Sequence, residues 1–523
     1  MPLIRRSLLA FAAFLVCAVA APSVLVQDLF AQERGAQERG AQDRPARTER
    51  PAQRADEAPA TGPGLLRLLP SDAVSDKQVT VAGRTIAYTA TAGTLSLFDQ
   101  TGERSAAVYY TAYVAKGADA GRRPITFAFN GGPGAASVYL SLGLAGPRIV
   151  EFGADGRDGA AARMVDNPDT WLAFTDLVMI DPIGTGWSRA AKPDGANAFW
   201  GVRTDASVIA KVIALYVAKN SRSTSPKYLL GESYGGFRAA KVAGALQSEQ
   251  GIVTSGIVMV SPLLETAFQW GSSQFALGAA LHFPSLVATE LERTKSFTPE
   301  KLAEAERFAL TDYLAGLAGP KPSGDKAKAL YGRIAELTGL PVDVVAKSRG
   351  WVRNAYLNQL RANGVTVSSY DATFAIPDPF PESDRRRGND PMLDGFTRAL
   401  SGAYVAYARD ELGFKTDMTY TMLAGEIASK WEWGGRQDPP GVSDDLRELL
   451  AQTPSFRLLV AHGRTDLVTP YGISRYVLDH LPEIGAPNRI QLKLYRGGHM
   501  FYFNPDSRRA FGQEAKSFYQ AEP

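Results

Sequence analysis

From residue 65 onward, short runs of β-branched and aromatic residues alternate with turn residues. Runs at 78–81, 84–91, 107–114 and 124–129 are parted by glycine and aspartate and read as strands, the first of them as antiparallel hairpins. Shorter apolar runs at 177–180 and 228–230, and a further strand at 256–260, fit central parallel strands buried on both faces. An amphipathic helix is expected at 206–217. The character then changes, with helical patterns at 299–317, 325–337, 341–363 and 394–411 and a loop rich in proline and charge at 377–390. Strand signals return only at 456–461 and 490–494, each followed by a loop and a helix. The fold class is therefore α/β, a mostly parallel doubly wound sheet with antiparallel N-terminal strands and an inserted helical cap. Residues 65–260 and 441–523 form the core and 261–440 the insertion.

Ahead of this folded part, Arg5 and Arg6 precede an apolar run from Leu8 to about Ala20, with Ala18, Ala20, Ala21 and Pro22 at its end. That is the pattern of a secretory signal peptide over residues 1–20, cleaved after Ala20 or, at a second site, after Ala31. The run is short for a bilayer, which weighs against an uncleaved anchor and against stable membrane association after cleavage. Val16 before Cys17 weighs against a lipoprotein. From about Gln32 to Gly64 the sequence is polar and repetitive (QERGAQERGAQDR and onward), too poor in apolar side chains to fold, and residues 21–64 are expected to be a disordered linker. A secreted or periplasmic location follows. Cys17 is the only cysteine, so the mature chain has no disulfide and depends on its core for stability. A net charge of +3 is too small to suggest nucleic acid as partner, which leaves peptides or small molecules.

The chemistry centres on Gly231-Glu232-Ser233-Tyr234-Gly235, a G-x-S-x-G motif between an apolar strand and a helix expected at 236–246. Glycines two before and two after the serine let strand and helix approach and leave the hydroxyl exposed, as in the nucleophile elbow of α/β hydrolases. A neutral hydroxyl needs a base and an acid to orient that base. Asp466 and His499 each lie just beyond the carboxyl end of a returning strand, and the order Ser233, Asp466, His499 is the one expected on this fold. Gly497 and Gly498 would let the chain bend His499 toward the serine. His282, His462 and His480 read as structural or surface residues, and Asp479 and Asp506 as weaker candidates for the acid. An oxyanion would be held by the amide of Tyr234 and by one from the loop Asn130-Gly-Gly-Pro-Gly134. No Gly-Lys-Ser or Gly-Lys-Thr follows that loop, which disfavours a phosphate cradle. Neither cofactor nor metal is called for.

Six blocks in order, FNGGPGAAS at 129–137, NPDTW at 167–171, DPIGTGWS at 181–188, GESYGG at 231–236, GRTDLVTPY at 463–471 and GGHM at 497–500, resemble the serine carboxypeptidase family. The resemblance implies Ser233 as nucleophile, His499 as base and Asp466 as its orienter, with Gly132 and Tyr234 as oxyanion donors. It also implies that a substrate's terminal carboxylate is bound by Asn130 and Glu232, beside Gly131, together with a second glutamate. Leu144 stands where that second acid is expected. Glu232 without its partner is expected to ionise and repel a carboxylate, weakening the preference for free carboxyl ends unless a donor such as Arg238 substitutes, and moving the optimum to less acidic pH. The expected activity is release of carboxyl-terminal residues from peptides through an acyl-enzyme. The same machinery serves an esterase or acyltransferase, and a catalytically silent binding protein is the remaining alternative.

Overall fold

The computed structural model describes residues 64–153, 158–270, 274–383, 387–434 and 439–520. The expected signal peptide and residues 21–63 of the expected linker lie outside the described residues. Strands in the first half are β1 (Ala73–Val81), β2 (Arg84–Phe98), β3 (Arg104–Ala115), β4 (Ile125–Phe129), β5 (Arg148–Phe152), β6 (Ala162–Asp166), β7 (Asp176–Ile180) and β8 (Arg189–Ala190). They are followed by β9 (Lys227–Glu232), β10 (Gly256–Val260), β11 (Val365–Val367), β12 (Ala375–Pro377), β13 (Arg457–Gly463) and β14 (Ile490–Tyr495). The main sheet has the order β1-β2-β3-β7-β4-β9-β10-β13-β14, with β8 beside β3. β1, β2, β3 and β7 pair antiparallel, and from β7 to β14 every neighbour is parallel.

β4, β7, β9, β10 and β13 are buried at every position, because helices cover both faces of the sheet. The pleat divides their side chains with period two. Val178, Ile180, Leu458 and Val460 join one apolar cluster with the helices Val202–Lys219, Tyr234–Gln250 and Ser443–Gln452. Leu177, Met179, Leu459 and Ala461 join the opposite cluster with the helices Pro391–Ala406 and Pro505–Gln520. At the start of β7, buried Asp176 receives Arg123 Nε at 2.7 Å and Arg222 at 2.6 Å, pairing its charge below the sheet.

Between β10 and β13 the chain is mainly helical. The helix Ala276–Arg293, with Pro284 inside it, packs with Tyr313, Ile334 and Tyr356 in an apolar cluster of the insertion. The helix Pro391–Ala406 instead packs on the main sheet, so the insertion is divided between two cores. The single helix expected at 341–363 is two, Val342–Lys347 and Val352–Ala362. Arg349 and Gly350 separate them at φ 53° and 84°, a left-handed turn that an α-helix cannot absorb. The hairpins β5/β6 and β11/β12 were not foreseen, since each pairs a short, mostly buried run with a half-exposed one, β6 or β12, that carries little apolar signal. Among the described residues, no helix is long and apolar enough to cross a membrane.

Candidate active site

β9 ends at Glu232 and the next helix begins at Tyr234, so Ser233 must reverse the chain alone. Its backbone sits at φ 61° and ψ −127°, a conformation that costs a non-glycine residue on the order of 1–3 kcal/mol. The turn is held from three sides. Ser233 N donates to Val260 O at 2.9 Å, and Ser233 O accepts from Gly236 N at 2.9 Å and Leu263 N at 3.1 Å. A Cβ on Gly231 would lie 1.9 Å from Gly235 O, so only glycine allows strand and helix to meet here.

The same exit of β10 also reaches His499. Ser261 Oγ donates to the carbonyl of His499 at 2.8 Å, one residue beyond the Val260 carbonyl that anchors Ser233. His499 Nδ1 lies 2.8 Å from Asp466 Oδ2, and both side chains are almost wholly buried. Asp466 Oδ2 also accepts from Thr469 Oγ1 at 2.8 Å, while Oδ1 accepts the amides of Val468 at 2.7 Å and Thr469 at 3.0 Å. Burial pushes the Asp466 carboxyl up, but the charge and hydrogen bond of His499, with His462 and the Thr469 amide, outweigh it and hold the group below its ordinary range. Burial likewise disfavours a charged His499. The Asp466 charge and hydrogen bond, helped by Glu232, more than offset it and raise the imidazole above its ordinary value. A charge on this pair therefore belongs on Asp466 first.

The glycine loop after β4 lies against the elbow. A Cβ on Gly131 would come within 2.5 Å of Tyr234 N and 2.7 Å of Glu232 O. Tyr234 is the first residue of its helix, so its amide has no intrahelical acceptor. Gly132, at φ 101°, occupies backbone space favoured by glycine in the same loop. Asn130 turns inward: Nδ2 donates to Glu232 Oε2 at 2.8 Å, and Oδ1 accepts Leu140 N at 3.2 Å.

Glu232 departs from the sequence-based expectation. Instead of ionising freely, it is 3% exposed, and burial carries its carboxyl up to about 7 against the lowering effects of His499, Tyr502 and Asn130. Tyr502 OH donates to Oε2 at 2.7 Å. Arg238 Nε bonds Asp205 Oδ2 at 2.6 Å and Nη1 bonds the Asn130 carbonyl, with the guanidinium against the Tyr234 ring, while its buried Nη2 has no hydrogen-bond partner among the described residues. Leu144 is fully buried in the apolar core.

Sequence reasoning missed Thr469, Tyr502 and Tyr370. Thr469 and Tyr502 each lie three residues past a residue already singled out, Asp466 and His499, which was an available signal. Tyr370 had none. It comes from the loop between β11 and β12, packs edge-on to the His499 ring at 5.2 Å and accepts the His499 amide on its carbonyl. Of the other histidines, His282 and His462 are buried and pushed down to about 3 by burial, and exposed His480 bonds its own helix. Asp479 ends one helix and Asp506 lies in the first turn of another. Among the described residues, no group of three or more His, Cys, Asp or Glu side chains could hold a metal ion.

A mixed sheet of this order, with a serine at the strand-to-helix turn, defines an α/β hydrolase of the serine hydrolase type. Residues 88–281 match the family model described as serine carboxypeptidase, a span that holds the glycine loop and Ser233 and ends before Asp466 and His499. Solved structures give remote likenesses. VinJ is 14% identical, with 82% of this chain and 98% of that one covered and a TM-score of 0.37. Proline iminopeptidase of Mycobacterium smegmatis is 13% identical, covering 85% and 97%, with a TM-score of 0.34. A thermostable carboxyl esterase from Bacillus coagulans is 11% identical, covering 82% and 97%, at 0.35. No curated protein sequence matches the chain.

Proposed function

We propose that this hydrolase is a serine-type carboxypeptidase that releases carboxyl-terminal residues from peptides through an acyl-enzyme. The observation that carries the reading is the buried hydrogen bond between Asn130 and Glu232, directly before the elbow serine. A carboxyl group raised to about 7 is in good part protonated near neutrality, and in that form it can donate a hydrogen bond to a terminal carboxylate.

In this mechanism Ser233 Oγ attacks the scissile carbonyl while His499 Nε2 takes its proton. Asp466, bonded to Nδ1, fixes the tautomer and stabilises the imidazolium. The amides of Gly132 and Tyr234 receive the developing oxyanion, each such donor being worth about 3–4 kcal/mol. The imidazolium then protonates the leaving amine, and water repeats the sequence on the ester. A fluorophosphonate probe should label the protein and fail on Ser233→Ala. A peptide mixture read by mass spectrometry should lose residues from the carboxyl end, and loss from the amino end alone would overturn the reading.

Leu144 favours a second reading, acyl transfer or ester hydrolysis by the same residues, because it removes an acid that the resemblance leads one to expect. Parallel kcat/KM values on peptide and ester separate the two. The amino-terminal pattern supports action outside the cytoplasm, on peptides there. Amino-terminal sequencing of the mature protein, expected to begin at Ala21 or beyond, tests this.

A further inference from the structure

The missing second acid leaves a physical question: what keeps Glu232 oriented toward a substrate? Leu144 is buried in the apolar cluster, and its neighbour Gly143 faces the Tyr502 ring. A Cβ on Gly143 would lie 2.6 Å from Tyr502 Cε2 and 3.0 Å from Phe503 Cε1, so glycine makes the space that the ring occupies. Through that space the Tyr502 hydroxyl reaches Glu232 Oε2 at 2.7 Å, where Asn130 Nδ2 also donates at 2.8 Å. When Glu232 is neutral, an Oε2 that accepts both hydrogen bonds is its carbonyl oxygen, and the proton is then on Oε1. Among the described residues Oε1 has no hydrogen-bond partner, although the residue is 3% exposed.

We propose that Tyr502 is a specificity-determining positioning residue, whose hydroxyl acts through Glu232 to present Oε1–H to the free carboxylate of a substrate. The inference rests on the carboxypeptidase reading and goes beyond it, because it replaces a pair of acids by one acid and a phenol. Two acids add a second negative charge as pH rises. A phenol does not: burial, and then the Glu232 charge, push Tyr502 well above its ordinary value, so it stays neutral. The other titratable groups that act on Glu232 or feel its charge are His499, Asp466, Tyr139 and Tyr370. Both tyrosines are held above their ordinary values mainly by burial. Asp466 is held below its ordinary range, and His499, which burial pushes down but the Asp466 charge raises above its ordinary value, is a second group that loses a proton as pH rises. Glu232 should therefore contribute one proton to the loss of acid recognition, over and above the step that His499 supplies.

The test is calorimetric binding of an N-blocked dipeptide and of its carboxyl-terminal amide, from pH 5 to 9, in the Ser233→Ala protein so that neither is turned over. The parent should prefer the free acid at low pH and lose that preference with one proton more than Glu232→Gln shows. Tyr502→Phe keeps the ring and removes a donor that favours the anion, so the midpoint should rise by roughly one pH unit while the low-pH preference falls about tenfold. Gly143→Ala, which displaces the ring and keeps the hydroxyl, should reproduce the effect, and serves if Tyr502→Phe does not fold. Glu232→Gln should remove one proton from the pH dependence and leave only the step that His499 supplies. Equal binding of acid and amide by the parent at every pH would remove the carboxypeptidase reading itself. If the parent loses two protons more than Glu232→Gln over this range, or Tyr502→Phe weakens acid and amide alike with the midpoint unmoved, Tyr502 is structural and the inference falls while that reading stands.

Discussion

Asp466→Asn isolates what the buried acid does, because the surrounding hydrogen bonds dictate how asparagine must sit. Oδ1 faces two backbone donors, the amides of Val468 and Thr469, so the asparagine oxygen has to stay there. Its NH2 group then falls at the Oδ2 position, 2.8 Å from His499 Nδ1. Two N–H groups cannot face each other at that distance, so Nδ1 must become an acceptor and the ring proton moves to Nε2. A base with its proton already on Nε2 cannot take another from Ser233. The expected loss in kcat is about 10³–10⁴-fold, or roughly 4–5 kcal/mol of barrier. Steady-state kinetics on an activated ester and a blocked dipeptide would measure it, with near-UV circular dichroism to confirm packing. The acid limb of the residual activity should also move to lower pH, since Asp466 is the main influence raising His499 against burial. A variant that keeps kcat within tenfold and leaves the acid limb in place would refute the tautomer argument.

Glu232→Gln should flatten the pH dependence of stability. The folded carboxyl is raised from 4.5 to about 7, so between those values the folded state holds a proton that the unfolded state has lost. Stability then falls as pH rises, by on the order of 3 kcal/mol at pH 8 if the whole shift is expressed. Urea midpoints at pH 5 and 8 would test this, and parallel changes in parent and variant would rule it out. Asp176→Ala leaves the guanidinium of buried Arg222 without its acid, together with that of Arg123, and should cost about 3–5 kcal/mol in chemical denaturation. Gly131→Ala places a methyl group within 2.7 Å of three backbone atoms of the elbow. It should either prevent folding or reduce kcat far more than it changes KM, and a variant with full kcat would contradict the placement of the loop.

What the sequence made legible follows from which residues carry signal at short range. The central strands could be read because each is a short apolar run, and Gly256–Val260 was delimited at both ends. Ser233 stands at the strand-to-helix turn that its motif led one to expect, and Asp466 and His499 are bonded to each other, although nothing in the sequence states that the Ser261 hydroxyl would bond the His499 carbonyl. Ionisation was not legible. Glu232 counts as a charge in composition, and only the depth at which β9 ends makes it a group that titrates near neutrality. Tyr502 was hidden for the opposite reason: in Phe501-Tyr502-Phe503 it looks like one more core aromatic, and only its hydroxyl separates it from its neighbours.

The insertion was harder still, and the reason bears on what it does. Periodicity located most of its helices but not the loop at 368–374, which has no repeat to detect. That loop is bonded to both late core loops: Leu467 N donates to Ser369 O at 3.0 Å, Ala372 N to Thr465 O at 3.2 Å, Thr465 Oγ1 to Asp371 Oδ1 at 2.8 Å, and His499 N to Tyr370 O. A cover that only governed access would need contacts it could break without disturbing the base. Here the residues flanking Asp466 and the amide of His499 itself take their partners from the insertion, so this loop braces Asp466 and His499 against the core.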